Sequence, residues 1–204
     1  MAAASRLPRA ARRAQLIEAA AAAFLGRGFD GTSMEDVAQA AGVSRLIVYR
    51  NFESKEDLYR QILRQVLVDL GTAFSGLSFG DVAERGAATI ILPVARARPD
   101  AFRLLWRDAW HQAAFEDLAE EFRTYVIVYA KAILSSFIEE PTMLDWAART
   151  SGAHLVEGIC TWLDVGDPSR DDEVGVLMSD GLRALATTWS TPAAAPPVGS
   201  AGGG

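Results

Sequence analysis

The chain has one cysteine, two histidines and no long uncharged apolar run, and these shortages exclude several classes of protein. The single cysteine, Cys160, cannot form a disulfide within the chain and suits a reducing compartment. No run of about 18 apolar residues is free of charge, and the opening segment lacks the apolar stretch of a signal peptide. We therefore expect a cytoplasmic protein of one or two domains with no membrane partner.

Patterns that support catalysis or metal binding are also scarce. The chain has no glycine-rich phosphate loop and no Gly-x-Ser-x-Gly nucleophile motif. His154 and Glu157 stand three apart on one predicted helical face, but this pair supplies at most two metal ligands. We therefore predict no catalytic residues, no metal and no cofactor. A helical metal-dependent enzyme or a metal sensor that uses this pair is kept as an alternative.

Charge is distributed unevenly along the chain. The net charge is −6, which averages a basic first part with an acidic remainder. Residues 1–52 carry seven basic and four acidic side chains, whereas the remaining residues carry 13 basic and 22 acidic ones. Such asymmetry is typical of a basic binding domain joined to an acidic body.

The spacing of apolar residues predicts helices throughout, and we find no convincing alternating strand. The first helix is predicted over residues 9–26. Residues 33–52 then read as a short helix, a turn at Gly42 and a second short helix capped by Ser44, which is the helix-turn-helix layout. Thr32 and Glu35 have the spacing of a capping box at the start of this unit, with Ser33 and Asp36 as a weaker version.

The second short helix of this unit has one apolar and one basic side. Val48 and Phe52 are four residues apart and can point into a core. Arg45, Tyr49 and Arg50 then lie on the other side, with Ile47 near the edge. Arginine can reach guanine edges or phosphates, and an apolar side chain can meet a thymine methyl group. We therefore predict that this side faces the major groove of DNA, and that Asn51 caps the end of the helix rather than reading adenine.

Three motifs within residues 10–70 resemble the DNA-binding domain of the TetR family of bacterial regulators: "A-x-x-x-F-x-x-x-G", "VAQAAGVS" and "Y-x-x-F-x-S-K-E-x-L". The resemblance implies an all-α fold of about nine helices and a homodimer on a palindromic double-stranded DNA operator. It also implies release from DNA by a small-molecule effector, so we expect a ligand-responsive repressor. Together with the side chains above, the predicted DNA contacts are Thr32, Ser33, Ser44, Arg45, Ile47, Tyr49, Arg50 and Lys55.

The chain departs from the common family pattern at two positions of the second short helix. Leu46 stands where a small residue is usual, and Ile47 stands where a hydroxyl is usual. These changes put one backbone approach and one phosphate contact in question. A protein-interaction module that has lost DNA binding is therefore a further alternative.

The predicted organisation has four parts: a basic arm at residues 1–9, the DNA-binding domain at 10–70, an effector-binding and dimerisation domain at 71–189, and a disordered tail at 190–204. Aromatic side chains at helical spacing in the third part can line an apolar pocket with a few polar groups. The predicted pocket residues are Phe102, Trp106, Trp110, His111, Tyr125, Tyr129 and Trp146.

The last two helices of the third part are predicted to form the dimer interface. Pro141 fits the start of the first of them, Gly166 its end and Pro168 the start of the second. These helices carry more apolar residues than packing within one subunit requires. Two such helices from each subunit can pack as a four-helix bundle across the dimer interface. The predicted interface residues are Ile159, Trp162, Leu163, Val174, Leu177, Met178 and Leu185.

Overall fold

A computed structural model describes residues 8–190, and these residues form ten α-helices and no strand. The predicted all-α class is confirmed. The predicted tail at 190–204, except Ser190 at the end of α10, and all but the last two residues of the predicted arm lie outside the described residues. The helices are α1 Arg9–Arg27, α2 Met34–Ala40, α3 Arg45–Tyr49, α4 Lys55–Phe74, α5 Phe79–Arg85, α6 Ala87–Ala97, α7 Pro99–Arg103, α8 Glu116–Leu134, α9 Pro141–Val165 and α10 Asp171–Ser190.

Short helical turns connect some of these elements. A π-helical turn, Leu104–Asp108, and a 3-10 turn, Ala109–His111, lie between α7 and α8. A further 3-10 turn, Pro168–Arg170, leads into α10, and α9 begins at Pro141 and is capped by Gly166, as predicted. Proline is favoured in the first turn of a helix because the backbone N–H at that position has no partner within the helix, so its absence loses no hydrogen bond.

The start of α2 differs from the stronger of the two predicted capping boxes. The Ser33 hydroxyl accepts from the Asp36 backbone N–H at 3.1 Å, and the Asp36 carboxylate accepts from the Ser33 backbone N–H at 2.9 Å. Thr32 is instead turned inward, and its hydroxyl lies 2.8 Å from the carbonyl oxygen of Gly28. The capping box therefore uses the pair that is one residue further along the chain.

Helices α1 to α4 pack around a core of side chains that are fully removed from solvent. This core includes Phe24, Val37, Val48, Leu58 and Ile62. Full burial of such a side chain stabilises the folded state by about 1.5–3 kcal/mol. Because α3 has only five residues, its position depends on this packing rather than on helix propensity.

A cluster of aromatic side chains, the aromatic joint, connects this N-terminal domain to helices α5 to α10, which form the body of the molecule. Phe115, just before α8, packs with ring centroids 4.5 Å from Tyr59 of α4 and 5.1 Å from Phe29. Beside it, a guanidinium nitrogen of Arg60 lies 2.6 Å from a carboxylate oxygen of Asp117. The first half of α4 therefore contacts both the N-terminal domain and the segment at the start of α8.

Two glycines of the body allow its helices to approach one another. A Cβ at Gly152 of α9 would lie 2.6 Å from the side chain of Val126 on α8, and one at Gly175 of α10 would lie 3.3 Å from Cα of Thr89 on α6. Both close approaches lie within one chain.

Among the described helices, no single one is long and apolar enough to cross a membrane. Helices α4 and α5 together have the required length and composition, but they form a pair bent by 94°.

Candidate DNA-binding surface and ligand cavity

Helix α3 is placed by the turn before it and by its buried side. Gly42 has φ +64°, a left-handed conformation that side chains with a Cβ rarely adopt, and Ser44 is the N-cap. Val48 is fully buried, and Ile47 packs half-buried against the same core. Ile47 was predicted near the edge as a DNA contact, but most of its apolar surface is used inside the protein.

The opposite side of α3 is exposed and carries its two arginines. Successive residues lie about 100° apart around a helix, so Arg45, Tyr49, Leu46 and Arg50 follow one another across about 140° of its surface. All four are exposed, with Leu46 at 59% and Tyr49 at 43%. The structure therefore brings together three of the predicted contacts and adds Leu46 between them.

Contacts among the polar groups of this surface are weak. An Arg45 guanidinium nitrogen lies 3.4 Å from the Tyr49 hydroxyl, and another lies 3.8 Å from a carboxylate oxygen of Glu35. Exposed ion pairs of this kind contribute little to stability because water screens them. Arg45 can therefore exchange both contacts for a phosphate or a base at little cost.

The side chains of the other predicted DNA contacts differ in their exposure and in the partners they already have. Ser44 is exposed, and Ser33 is exposed at the start of α2, where its hydroxyl is engaged in the capping box. The Lys55 ammonium group lies 2.9 Å from the carbonyl oxygen of Phe29 and 4.2 Å from the centre of its ring, so it is partly occupied. Thr32 is 1% exposed, so its side chain is not available to DNA and serves the loop between α1 and α2.

Electrostatics fix the start of α2. The Ser33 hydroxyl and its backbone N–H, followed by the guanidinium of Arg27 at 2.6 Å, lower the pKa of Asp36 to about 2. Asp36 is therefore ionised under ordinary conditions and acts as a negative charge at the positive end of α2.

Two side chains of α1 that we did not single out hold the helix-turn-helix in place. The Arg13 guanidinium donates to the carbonyl oxygen of Asn51 at 2.7 Å and lies over the Phe52 ring at 4.6 Å. The Gln15 amide donates to the carbonyl oxygen of Ala41 at 3.0 Å. These partners are distant in sequence, so no local spacing indicates them. The Asn51 amide donates to the carbonyl oxygen of Ile47 at 2.8 Å, which confirms the predicted cap.

A cavity of about 530 Å³ lies in the body between α4 and α8, with further walls from α5, α6, α9 and α10. Its lining is largely apolar, and Phe74 packs against Tyr129 at one part of the wall, with ring centroids 4.8 Å apart. This volume is in the range of pockets that bind small organic molecules. Charged groups occur at Arg64, Glu121 and Arg183.

Two of the seven predicted pocket residues, Tyr125 and Tyr129, line this cavity, and five do not. Phe102 lies in the core behind Phe122, whose side chain does reach the cavity. Trp146 is exposed and packs on Trp189. The prediction assumed that aromatic side chains at helical spacing all face one pocket. In the structure these side chains contact different neighbours.

Two of the three remaining predicted pocket residues surround a different group. Trp106 and Trp110 flank Arg123, whose guanidinium carbon lies 3.5 Å from the centre of the Trp110 ring. Burial lowers the pKa of Arg123. His111 is exposed at the end of the 3-10 turn.

The alternative metal site at His154 and Glu157 gains no support. The Glu157 carboxylate accepts from the Trp106 indole N–H at 2.9 Å and pairs with Arg107, which lowers its pKa. Within residues 8–190, no group of three or more histidine, cysteine, aspartate or glutamate side chains could hold a metal ion.

The predicted interface residues are divided between the core and the surface. Ile159 and Leu163 are buried within their own chain, and the Trp162 indole donates to Asp171 at 2.7 Å. Leu177 is exposed. The other predicted residues, Val174, Met178 and Leu185, are half-buried on the same helix, α10.

Comparison with known proteins identifies the N-terminal domain. Residues 16–62 match the family model described as bacterial regulatory proteins, tetR family. The activator FasR from Mycolicibacterium smegmatis is 43% identical over 61 residues, or 30% of this chain, and the repressor KstR2 from Rhodococcus jostii is 42% identical over 59 residues, or 29% of this chain. The matched segments span only 28% and 29% of these two relatives.

Solved structures resemble the chain over most of its length. A TetR-like transcriptional regulator from Rhodococcus sp. RHA1 has a TM-score of 0.65 at 23% identity, over 91% of this chain and 96% of that one. A TetR-family regulator from Bordetella parapertussis has a TM-score of 0.67 at 19% identity, over 83% and 93%. These similarities show a shared fold.

The fold and the α2–α3 surface define an N-terminal helix-turn-helix domain joined to a larger helical part. Residues 16–62 match the TetR-family DNA-binding domain, and the whole described chain shares the fold of TetR-family structures.

Proposed function

We propose that the chain is a dimeric, cytoplasmic transcriptional repressor that leaves a palindromic operator when a small apolar or aromatic molecule binds its body. The observation that carries the proposal is the exposed face of α3, where Arg45 and Arg50 lie on either side of Tyr49 and Leu46. A short helix with this face fits the major groove, and its arginines supply contacts to phosphates or guanines.

The ligand part of the proposal rests on the position of the cavity. Its walls include the second half of α4, whose first half packs in the DNA-binding domain beside α1. A ligand that fills the cavity therefore contacts a helix shared with the DNA-binding domain. Its lining favours an apolar or aromatic molecule, with Tyr125 and Tyr129 as polar groups.

The dimer part rests on α9 and α10. The exposed or half-buried apolar residues of α10, together with Val176 at its surface, are available to a second copy. Two helices from each subunit would meet across a two-fold axis. Ile159 and Leu163 are left out of this proposed interface because the chain's own core uses them.

DNA binding is tested by titrating the purified protein against the DNA flanking its own gene at several salt concentrations. We expect steeply salt-dependent binding, because each phosphate contact releases a counterion. Arg45→Ala is expected to weaken binding by about 1–3 kcal/mol per half-site and to lower the salt slope.

Arg170→Ala is the matched control, since Arg170 is an exposed arginine of the body that pairs with Glu173. It should leave DNA binding unchanged. Equal binding by the Arg45→Ala variant and the wild type would contradict the assigned recognition surface. Transcription from a reporter that rises with added protein would contradict repression while leaving DNA binding intact.

The cavity is tested with anilinonaphthalene sulfonate, an aromatic fluorescent probe. Gly71 lies on α4 in the cavity wall, and a Cβ there would meet open space. Gly71→Leu should therefore fill part of the cavity and weaken probe binding. Gly26→Leu is the control, because Gly26 is also helical with open space around it but lies away from the cavity. Equal loss of binding in both variants, or in neither, would contradict the assignment.

A further inference from the structure

Leu46 occupies an unusual position for an apolar side chain. The exposed side of α3 runs from Arg45 through Tyr49 and Leu46 to Arg50, so Leu46 and Tyr49 form its middle. Directly opposite lie Ile47 and Val48, which pack against the core. With 59% of its surface exposed, Leu46 therefore contributes little to the stability of the folded chain.

The charges on either side restrict what this leucine can contact. Arg45 and Arg50 would neutralise phosphates on the two sides of a groove, and the middle of the helix face would then meet the base edges. The major-groove edges of the four base pairs carry hydrogen-bond donors and acceptors, and a single apolar group, the methyl of thymine. An apolar side chain between two cations thus matches a thymine in a groove bordered by phosphates.

We propose that Leu46 packs against a thymine methyl group and selects a T·A pair in each half of the operator. The inference rests on the proposed DNA-binding function and names one residue that sets its sequence preference. It assigns to Leu46 the apolar contact that was first expected from Ile47, which is half-buried on the core.

The test begins with selection of binding sites from a random duplex pool by the full-length wild-type protein. Each thymine of the selected site is then replaced by uracil, one symmetric pair at a time, which removes only the methyl group. At one symmetric pair of thymines we expect the replacement to lower affinity about fourfold per half-site, which corresponds to the loss of one buried methyl group.

The same substitutions are repeated with Leu46→Ala and Leu46→Met. The alanine variant should bind the thymine site more weakly and show a uracil penalty below about 1.5-fold at that pair, because the contact is already absent. The methionine variant should keep most of the penalty, since it retains an apolar side chain of similar volume. Val165→Ala, which changes an exposed apolar residue at the end of α9, should behave as wild type.

The outcomes separate the inference from the function on which it rests. A wild-type protein that binds no duplex would overturn both. A selected site at which uracil costs nothing, or costs the same in Leu46→Ala, would overturn the role of Leu46 alone. Because Leu46 is exposed, Leu46→Ala is expected to fold, and an unchanged circular dichroism melting curve checks this.

Discussion

The exposed face of α3 and the cavity beside α8 are built in opposite ways. The face is convex and formed by one short helix. Its side chains point to solvent because the turn at Gly42 and the burial of Val48 fix the rotation of the helix. The cavity is concave and formed by six helices, so its lining depends on the register of long helices against one another. A convex site can therefore be changed one side chain at a time, whereas a concave site also depends on distant packing.

The largest effect is expected where the two regions meet. Phe115→Ala would remove a fully buried ring that packs on Tyr59 and Phe29, and a loss of about 3–5 kcal/mol in the free energy of unfolding is expected. If the aromatic joint holds the domains together, calorimetry should show one transition for the wild type and two for the variant.

Phe79→Ala is the control for that experiment, since Phe79 packs on Tyr129 but is 47% exposed. It should cost less and keep a single transition. Equal losses in the free energy of unfolding in the two variants would mean that the aromatic joint does not couple the domains.

A smaller effect is expected at the turn that places α3. Gly42→Ala forces a residue with a Cβ into φ +64°, at a cost of about 1–2 kcal/mol in the free energy of unfolding. Gly26→Ala, in the last turn of α1 where φ is negative, should instead stabilise by less than about 1 kcal/mol. Chemical denaturation measures both, and probe binding in the cavity should be unchanged in each. Stabilisation by Gly42→Ala would contradict the described turn.

The smallest effect concerns two equivalent capping boxes. Ser33 and Asp36 cap α2 in the DNA-binding domain, and Ser78 and Asp81 cap α5 in the body. Hydrogen bonds from these serines lower the pKa of both aspartates, that of Asp36 to about 2. A lowered pKa in the folded state means that the stabilisation is complete above the ordinary value of 3.8 and is lost as the pH falls toward 2.

Asp36→Asn and Asp81→Asn should therefore each be less stable than the wild type at pH 7, and the difference should narrow as the pH falls below 3.8, continuing toward pH 2 for Asp36. Thermal melting at a series of pH values measures this. Only Asp36→Asn should also weaken DNA binding, because α2 supports α3. A stability difference that is independent of pH would contradict the assigned ionisation.

The sequence predicts the DNA-binding domain more closely than the body, for a physical reason. Caps, glycine turns and apolar spacing act over a few residues, so α2, its turn and the exposed side of α3 follow from local patterns. The inward turn of Thr32 and the contact of Arg13 with the backbone of Asn51 do not, because they depend on segments brought together by folding.

In the body, helical spacing predicts which residues share a helix face but not which helix that face meets. Tyr125 and Tyr129 face the cavity, whereas Trp106 and Trp110 enclose Arg123. The same limit applies to Ile159, whose apolar side chain is equally suited to a core or to a dimer interface. Only the register of α9 against its neighbours places it in the core.

The most direct test of the central claim, that the exposed face of α3 reads DNA, is a hydroxyl-radical footprint on the selected operator. We predict two protected segments one helical turn apart, about 34–36 Å, that weaken together in Arg45→Ala and persist in Arg170→Ala. The same footprint with Arg45→Ala, or no footprint from a folded wild-type protein at low salt, would contradict the claim.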